Sequence, residues 1–430
     1  MAYVLTLILA FFCIFQPGVI IPGLAAARPF FLVALLALLA WILGPRKGAP
    51  PGPRPVTHYF IIGFVAAQSI SVLQYFWLPE LIEITVEWSK LAIVYFLVAS
   101  QIDTEKRLRT LWVMIALGVA FVAVQAAWVY HTQPLPHPQM TGGRLSSYGA
   151  YSGANDLALL VVCSWPIIFK FMDLARNPFL KLLPAPLLLL LAYVDIRTIS
   201  RAGLLGMALV IGLSMLRGRS LGKLGRWALI VPALLAMLLV GSQALLTRDD
   251  AQDFSGQDES VQLRFRAWEA GIAMLKSSPV WGKGSGRFVE FSDEYGAPIA
   301  INAHNTEVKV AAETGLLGLV CYLGILVGAF RSLWRSWRRF GRIKPGGPEQ
   351  MWAEALGISL IGFVFNTQFS VKAHEWLLYL VVASAVALER LYPRAAAEFA
   401  ARLEVLTSSG PEAEPAEGPA AEPAAGTKPA

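Results

Sequence analysis

Apolar stretches of bilayer length recur along nearly the whole chain, separated by short polar connections, and they restrict its fold more than any other feature. A bilayer-crossing helix needs about 20 mostly apolar residues. Segments of that kind lie near 2–20, 28–44, 57–77, 81–100, 108–130, 155–172, 180–197, 201–216, 226–242, 304–330, 350–369 and 373–390. The hydrocarbon core offers no water to backbone N–H and C=O groups, so such segments must satisfy their own hydrogen bonds as helices. The expected fold class is therefore all-α: a polytopic integral membrane protein with about twelve transmembrane helices. Two segments are weaker, since 81–100 carries Glu83, Glu87 and Lys90, and 201–216 is short.

Composition agrees. Charged residues make up 15% of the 430-residue chain, against about 25% in soluble domains, and the mean hydropathy is +0.55. Thirteen Trp and twelve Tyr suit the aromatic belts of a bilayer. A net charge of +7 would suit nucleic acid, but the basic residues fall in short clusters between apolar runs, a topological pattern and not a nucleic-acid patch. Cys13, Cys163 and Cys321 each lie inside an apolar segment, which leaves neither a disulfide framework nor a zinc site.

The charge clusters give the orientation. Alternate connections hold Arg46/Lys47/Arg54, Lys106/Arg107/Arg109, Lys170/Arg176/Lys181, Arg217/Arg219/Lys223/Arg226, and Arg331 through Lys344. The positive-inside rule makes all five cytoplasmic and puts both termini inside. The opposite face receives 78–80, 131–154, 196–200, a long loop over 242–303, and 370–372. The apolar N-terminus followed by Ala25-Ala26-Ala27 has some look of a signal peptide, but no Lys or Arg precedes it and 17–22 reads as a turn between spans. A transmembrane domain is thus expected over 1–394. From Ala395 the Ala/Glu/Pro-rich sequence reads as a disordered cytoplasmic tail over 395–430.

A chain so apolar has few places for charge-dependent chemistry, and the long outer loop is the main one. Its segment 259–277 has helical periodicity, with Val261, Phe265, Trp268, Ile272 and Leu275 on one stripe and Arg264 at the stripe's edge. Arg264 then either snorkels toward lipid headgroups or turns toward the bundle and an anionic partner. The acidic run Asp249, Asp250 and Asp253 reads as solvated loop charge, not a cation site. The glycines of 278–288 loosely resemble a phosphate loop but lack the preceding strand, and read better as tight turns. Arg287 among them is expected to have a structural partner.

Three outer-face features converge. Arg201 opens a span at the face where arginine is disfavoured, Arg264 edges the loop helix, and His304-Asn305 opens the span carrying Glu307, Lys309 and Glu313. Two guanidiniums suit bidentate binding of a phosphate or pyrophosphate, and an imidazole suits proton removal from an attacking hydroxyl. The combination fits group transfer from a membrane-anchored phosphorylated donor. Asn155-Asp156, on the same face, is expected to cap the following helix.

At these residues the sequence resembles the O-antigen ligase/polymerase superfamily of bacterial membrane glycosyltransferases. The matching elements are Ser200-Arg201, Arg264-x-x-x-Trp268, Pro279-x-x-Gly282-x-Gly284-x-Gly286-x-Phe288, His304-Asn305 through Glu313-x-Gly315-Leu316-x-Gly318, and the upstream element ending Asn155-Asp156-Leu157-Ala158. Each is short; their order and shared face make the set specific. The resemblance implies an inner-membrane enzyme with a periplasmic loop containing short helices. It implies an undecaprenyl-pyrophosphate-linked glycan as donor, with no cofactor and no metal. Arg201 and Arg264 would engage the pyrophosphate and His304 would activate the acceptor hydroxyl, with inversion at the anomeric carbon. Arg287, Asn305 and Asn155 are possible supporting residues. The leading expectation is O-antigen ligation to lipid A-core. O-antigen polymerisation and protein O-glycosylation are alternatives within the class, and a solute or bicarbonate transporter lies outside it.

Overall fold

The computed structural model describes residues 1–44, 55–133, 137–140, 143–175, 177–217 and 254–408. The expected span 226–242, the acidic run 249–253 and residues 409–430 lie outside the described residues. In chain order the helices are α1 (Ala2–Phe15), α2 (Pro17–Ile20), α3 (Pro22–Ala25), α4 (Pro29–Leu43), α5 (Val56–Leu73), α6 (Leu78–Gln101), α7 (Glu105–Thr132) and α8 (Ala154–Leu174). There follow α9 (Pro178–Leu182), α10 (Ala185–Thr198), α11 (Arg201–Arg217), α12 (Phe254–Ser277), α13 (Phe288–Phe291), α14 (Thr306–Ile343), α15 (Pro348–Thr367) and α16 (Trp376–Ser408). The expected spans other than 226–242 fall on helix, with 2–20 divided between α1 and α2 and 180–197 between α9 and α10, and no strand occurs among the described residues.

Seven of the described helical segments are long and apolar enough to cross a membrane. α1 and α11 are shorter, at 14 and 17 residues, and α6 carries Glu80, Glu83, Glu87 and Lys90 in its first half. The fold class is an all-α membrane protein. Its core is built from α8, α15 and the start of α16, where most side chains are buried. The three cysteines are buried and unpaired.

Polar contacts separate the connections into two groups, matching the alternation of charge in the sequence. At one end of the bundle Lys170 bridges Asp173 and Glu354 at 3.0 and 3.4 Å, Arg217 reaches Glu354, and the Trp352 indole donates to Glu105. Arg335 pairs there with Glu389, and Arg390 donates to the Ala99 carbonyl. At the other end Arg287 meets Glu80, Lys372 meets Asp156, and Arg144 spans Thr198 and Asn155. A wrong span parity would have mixed the two groups.

Two expectations change. The chain divides into the units Met1–Leu391 and Tyr392–Ala430, and within the second the chain is helical to Ser408 instead of losing structure at Ala395. Ala, Glu, Leu and Arg in 395–408 are strong helix formers, and Arg394 pairs with Glu398 one turn on. The described part of the outer loop holds not only short helices but α12, 24 residues long.

The apolar stripe of α12 also differs. Ala267, Ala270, Gly271 and Met274 are buried, while Phe265 and Ile272 are exposed. Small side chains let α12 lie close on α14: a Cβ at Gly271 would collide with Val308 and Phe288. Phe265 and Ile272 instead face outward, as suits a helix at a bilayer interface.

Candidate active site

The frame of the site is a break in α14. Gly315 has φ 64° and ψ −164°, so the helix stops and restarts there, and the carbonyls one turn upstream lose their intrahelical donors. The 278–287 loop supplies substitutes. Lys283 N–H donates to the Ala312 carbonyl at 2.8 Å, Gly284 N–H to the Glu313 carbonyl at 2.9 Å, and Leu316 N–H turns back to Pro279. A Cβ at Gly282 would overlap the Glu313 carbonyl, and one at Gly315 the Val280 carbonyl. The spaced glycines therefore serve close backbone approach, as the tight-turn reading anticipated.

That loop is fixed on its other side by α5 and α6. Tyr75 donates to the Lys283 carbonyl at 2.7 Å, and Ser285 N–H donates to the Ser71 hydroxyl at 2.9 Å. Arg287 makes a two-point ion pair with Glu80 (2.7 and 3.0 Å), pairs with Glu290, and stacks over the Tyr75 ring at 4.2 Å. The Glu80 hydrogen bond is the main reason its guanidinium is held even more firmly protonated than usual. Its expected structural partner is Glu80.

α12 positions the next pair. The Trp268 indole donates to the Ala303 carbonyl at 2.9 Å, pinning the segment just before His304. One turn upstream, Arg264 lies on the same side of α12 and is half-buried. Burial, and after it the nearby Arg264 charge, hold the His304 imidazole below its usual range, so the ring is neutral at neutral pH. His304 has φ 50°, a left-handed conformation uncommon for a non-glycine residue. Asn305 follows as the N-cap of α14, accepting from Val308 N–H at 2.9 Å and donating to Gln368. Its role is thus to anchor the helix start that carries His304.

Arg201 opens α11 at the same end and is exposed. No hydrogen bond or ion pair joins it to Arg264 or His304 among the described residues. The Asn155-Asp156 expectation is corrected: the N-cap of α8 is Gly153, with no side-chain cap. Both residues lie inside the first turn and bind elsewhere, Asn155 accepting from Arg144 at 2.8 Å and Asp156 pairing with Lys372 at 3.0 Å. An acidic residue there still complements the helix dipole.

Beneath the 278–287 loop lies a cavity of about 310 Å³ walled in part by Gln68, Glu87, Trp88, Lys309, Glu313 and His374. Lys309 pairs with Glu313 at 3.5 Å, and Glu313 also accepts from Phe288 N–H. His374 comes from the short 368–375 connection, where Lys372 bridges Asp156 and Glu375. Its side chain is exposed and lines the cavity. Desolvation, then the charges of Lys372 and Lys309, depress its pKa to about 4. Sequence reading missed His374 and Gln68. The available signals were a Lys-x-His-Glu cluster in a short outer connection and a glutamine within an apolar span.

A wider groove of about 780 Å³ adjoins, sharing Glu87 and Trp376 with the cavity. Phe12, Val19, Phe30 and Phe31 line it together with Arg28 and Lys90. Among the described residues no group of three His, Cys, Asp or Glu side chains is arranged to hold a metal ion.

No curated protein matches the chain. Residues 186–323, which include Arg201, Arg264, the glycine loop and His304, match the family model described as O-antigen ligase. Through this segment the chain is similar to the O-antigen ligase family.

Proposed function

We propose that the protein transfers a glycan from an undecaprenyl-pyrophosphate donor to an acceptor hydroxyl at the periplasmic face of the inner membrane, and that the acceptor is lipid A-core. The observation that carries this reading is the neutral His304 imidazole beside Arg264, held there by the Trp268 bond to Ala303. The acceptor oxygen attacks the anomeric carbon while its proton passes to His304. The bond from that carbon to the pyrophosphate oxygen breaks, and the electron pair leaves with undecaprenyl pyrophosphate, inverting the centre. Arg264, with Arg201 from α11, offsets the leaving group's negative charge.

The adjoining apolar groove supports a polyprenyl donor, since aromatic and aliphatic walls with Arg28 and Lys90 at hand suit a lipid tail with an anionic head. A broken membrane helix is also a feature of ion-coupled transporters. Here, however, the Ala312 and Glu313 carbonyls at the break accept hydrogen bonds from the 283–284 backbone, which argues against ion coordination there.

The test is a reconstituted assay with a lipid-linked O-antigen donor and lipid A-core acceptor. Wild-type protein is expected to form the ligated product, and Arg264→Ala and His304→Ala to lose it. Full activity in both variants sinks the mechanism. Transfer only onto another lipid-linked glycan replaces ligation by polymerisation.

A further inference from the structure

The walls of the 310 Å³ cavity have a chemistry that the transfer mechanism does not use. Gln68 comes from the middle of α5 and is 1% exposed, yet its side-chain carbonyl oxygen has no hydrogen-bond partner. An unpartnered amide oxygen in a membrane helix is costly and calls for a ligand that donates to it. Indoles stand on the same walls: Trp88, set edge-on to Phe64 and to His374, and Trp376. The two carboxylates are already neutralised, Glu87 by Lys90 and Glu313 by Lys309.

These observations exclude ligand classes in turn. Balanced charge gives no field for a pyrophosphate or for a divalent cation. A hydrocarbon chain would leave the Gln68 oxygen unsatisfied. What remains is a neutral, compact molecule with hydroxyls around its edge and apolar C–H faces. The volume is at the lower end of ordinary small-molecule sites, roughly 300–1,000 Å³.

We propose that this cavity is a pyranose-binding subsite, holding one sugar ring against the Trp88 and Trp376 indoles with its hydroxyls on Gln68, Glu313 and His374. The inference rests on the glycan-transfer reading and adds to it a sugar contact separate from the reacting position. Lys309 and Glu313 share one face of α14, and His304 precedes that helix. The sugar comes either from the lipid-linked donor or from the acceptor.

The experiment measures equilibrium binding to purified full-length protein in detergent. The probes are undecaprenyl pyrophosphate, the same lipid bearing one N-acetylhexosamine, and a delipidated core oligosaccharide. The variants are Gln68→Leu and Trp88→Leu, on two different walls. Gln68→Leu removes a buried unpartnered amide and is expected to melt no lower than wild type. If the sugar is the donor's, wild type binds the sugar-bearing lipid more tightly than the bare one, and each variant erases about tenfold of that preference. Affinity for bare undecaprenyl pyrophosphate stays unchanged. If the sugar is the acceptor's, the same loss appears with the core oligosaccharide and the lipids are unaffected. Wild-type affinities in both variants for all sugar-bearing probes overturn the subsite. Absence of any undecaprenyl pyrophosphate binding to wild type counts against the donor reading instead, and leaves the subsite to be judged by the oligosaccharide alone.

Discussion

The Trp268 indole donates a 2.9 Å hydrogen bond to the Ala303 carbonyl, and so ties a helix of the outer loop to the residue before His304. Arg264 is one turn from Trp268 on the same helix. The spacing Arg264-x-x-x-Trp268 thereby becomes a distance between a guanidinium and an imidazole. Trp268→Phe keeps the ring and removes the donor. Loss of one such bond is worth about 1 kcal/mol, so thermal stability should change little while transfer falls about tenfold through misplacement. Melting curves beside turnover measurements check this; wild-type turnover would mean the tether does not position the pair.

The neutral state of His304 gives a pH signature. A general base works only when deprotonated, and the lowered pKa moves the acid limb of kcat/KM below the ordinary 6.5. Arg264→Gln removes the second cause and leaves burial, so the limb should move up toward 6.5 without passing it. A profile of residual kcat/KM against pH in that variant is the measurement, and an unmoved limb would separate Arg264 from His304.

Gly282 and Gly315 face each other's backbones across the break in α14, at φ 70° and 64°. Gly282→Ala and Gly315→Ala each combine backbone strain with a carbonyl overlap. Each should cost about 2–4 kcal/mol, read as a drop in melting temperature. Gly286→Ala has open space around its Cβ and should cost less, close to the strain alone.

Arg287 and Glu80 form a partly buried two-point ion pair between the glycine loop and α6. Arg287→Gln or Glu80→Gln should each destabilise by about 1–3 kcal/mol. A double-mutant cycle should show coupling, because the second substitution removes a partner already lost. Additive effects would assign the stability to Tyr75 stacking and Glu290 instead.

His374 links acid to stability. Its folded pKa of about 4 lies below the ordinary 6.5, so the unfolded chain binds the proton first as pH falls. Stability from this residue is full above pH 6.5 and declines toward pH 4. His374→Gln should lose less melting temperature than wild type between pH 7.5 and 5, and equal losses would count against desolvation of a neutral ring.

Much of this architecture was legible in the sequence because membrane physics is local. A run of apolar residues must be helical in a bilayer, and clusters such as Arg331–Lys344 alternate with short connections poorer in Lys and Arg whatever the helices touch. Arg201, Arg264 and His304 attract notice for a related reason: ionisable residues stand out against an apolar background. The stripe of α12 misled because amphipathicity assumes one buried face and a polar exposed one. Phe265 and Ile272 are exposed and apolar, while the packed face is made of Ala and Gly, whose signal is weak.

Sequence alone determined the all-α membrane fold, because it follows from the cost of taking unpaired backbone groups into hydrocarbon. Tertiary structure decided which charges meet. Arg287 meets Glu80, Asp156 meets Lys372, and the Arg264 charge acts on His304. Those pairings join residues as much as 216 positions apart, as for Asp156 and Lys372. No local pattern records such distances; only the closed chain sets them.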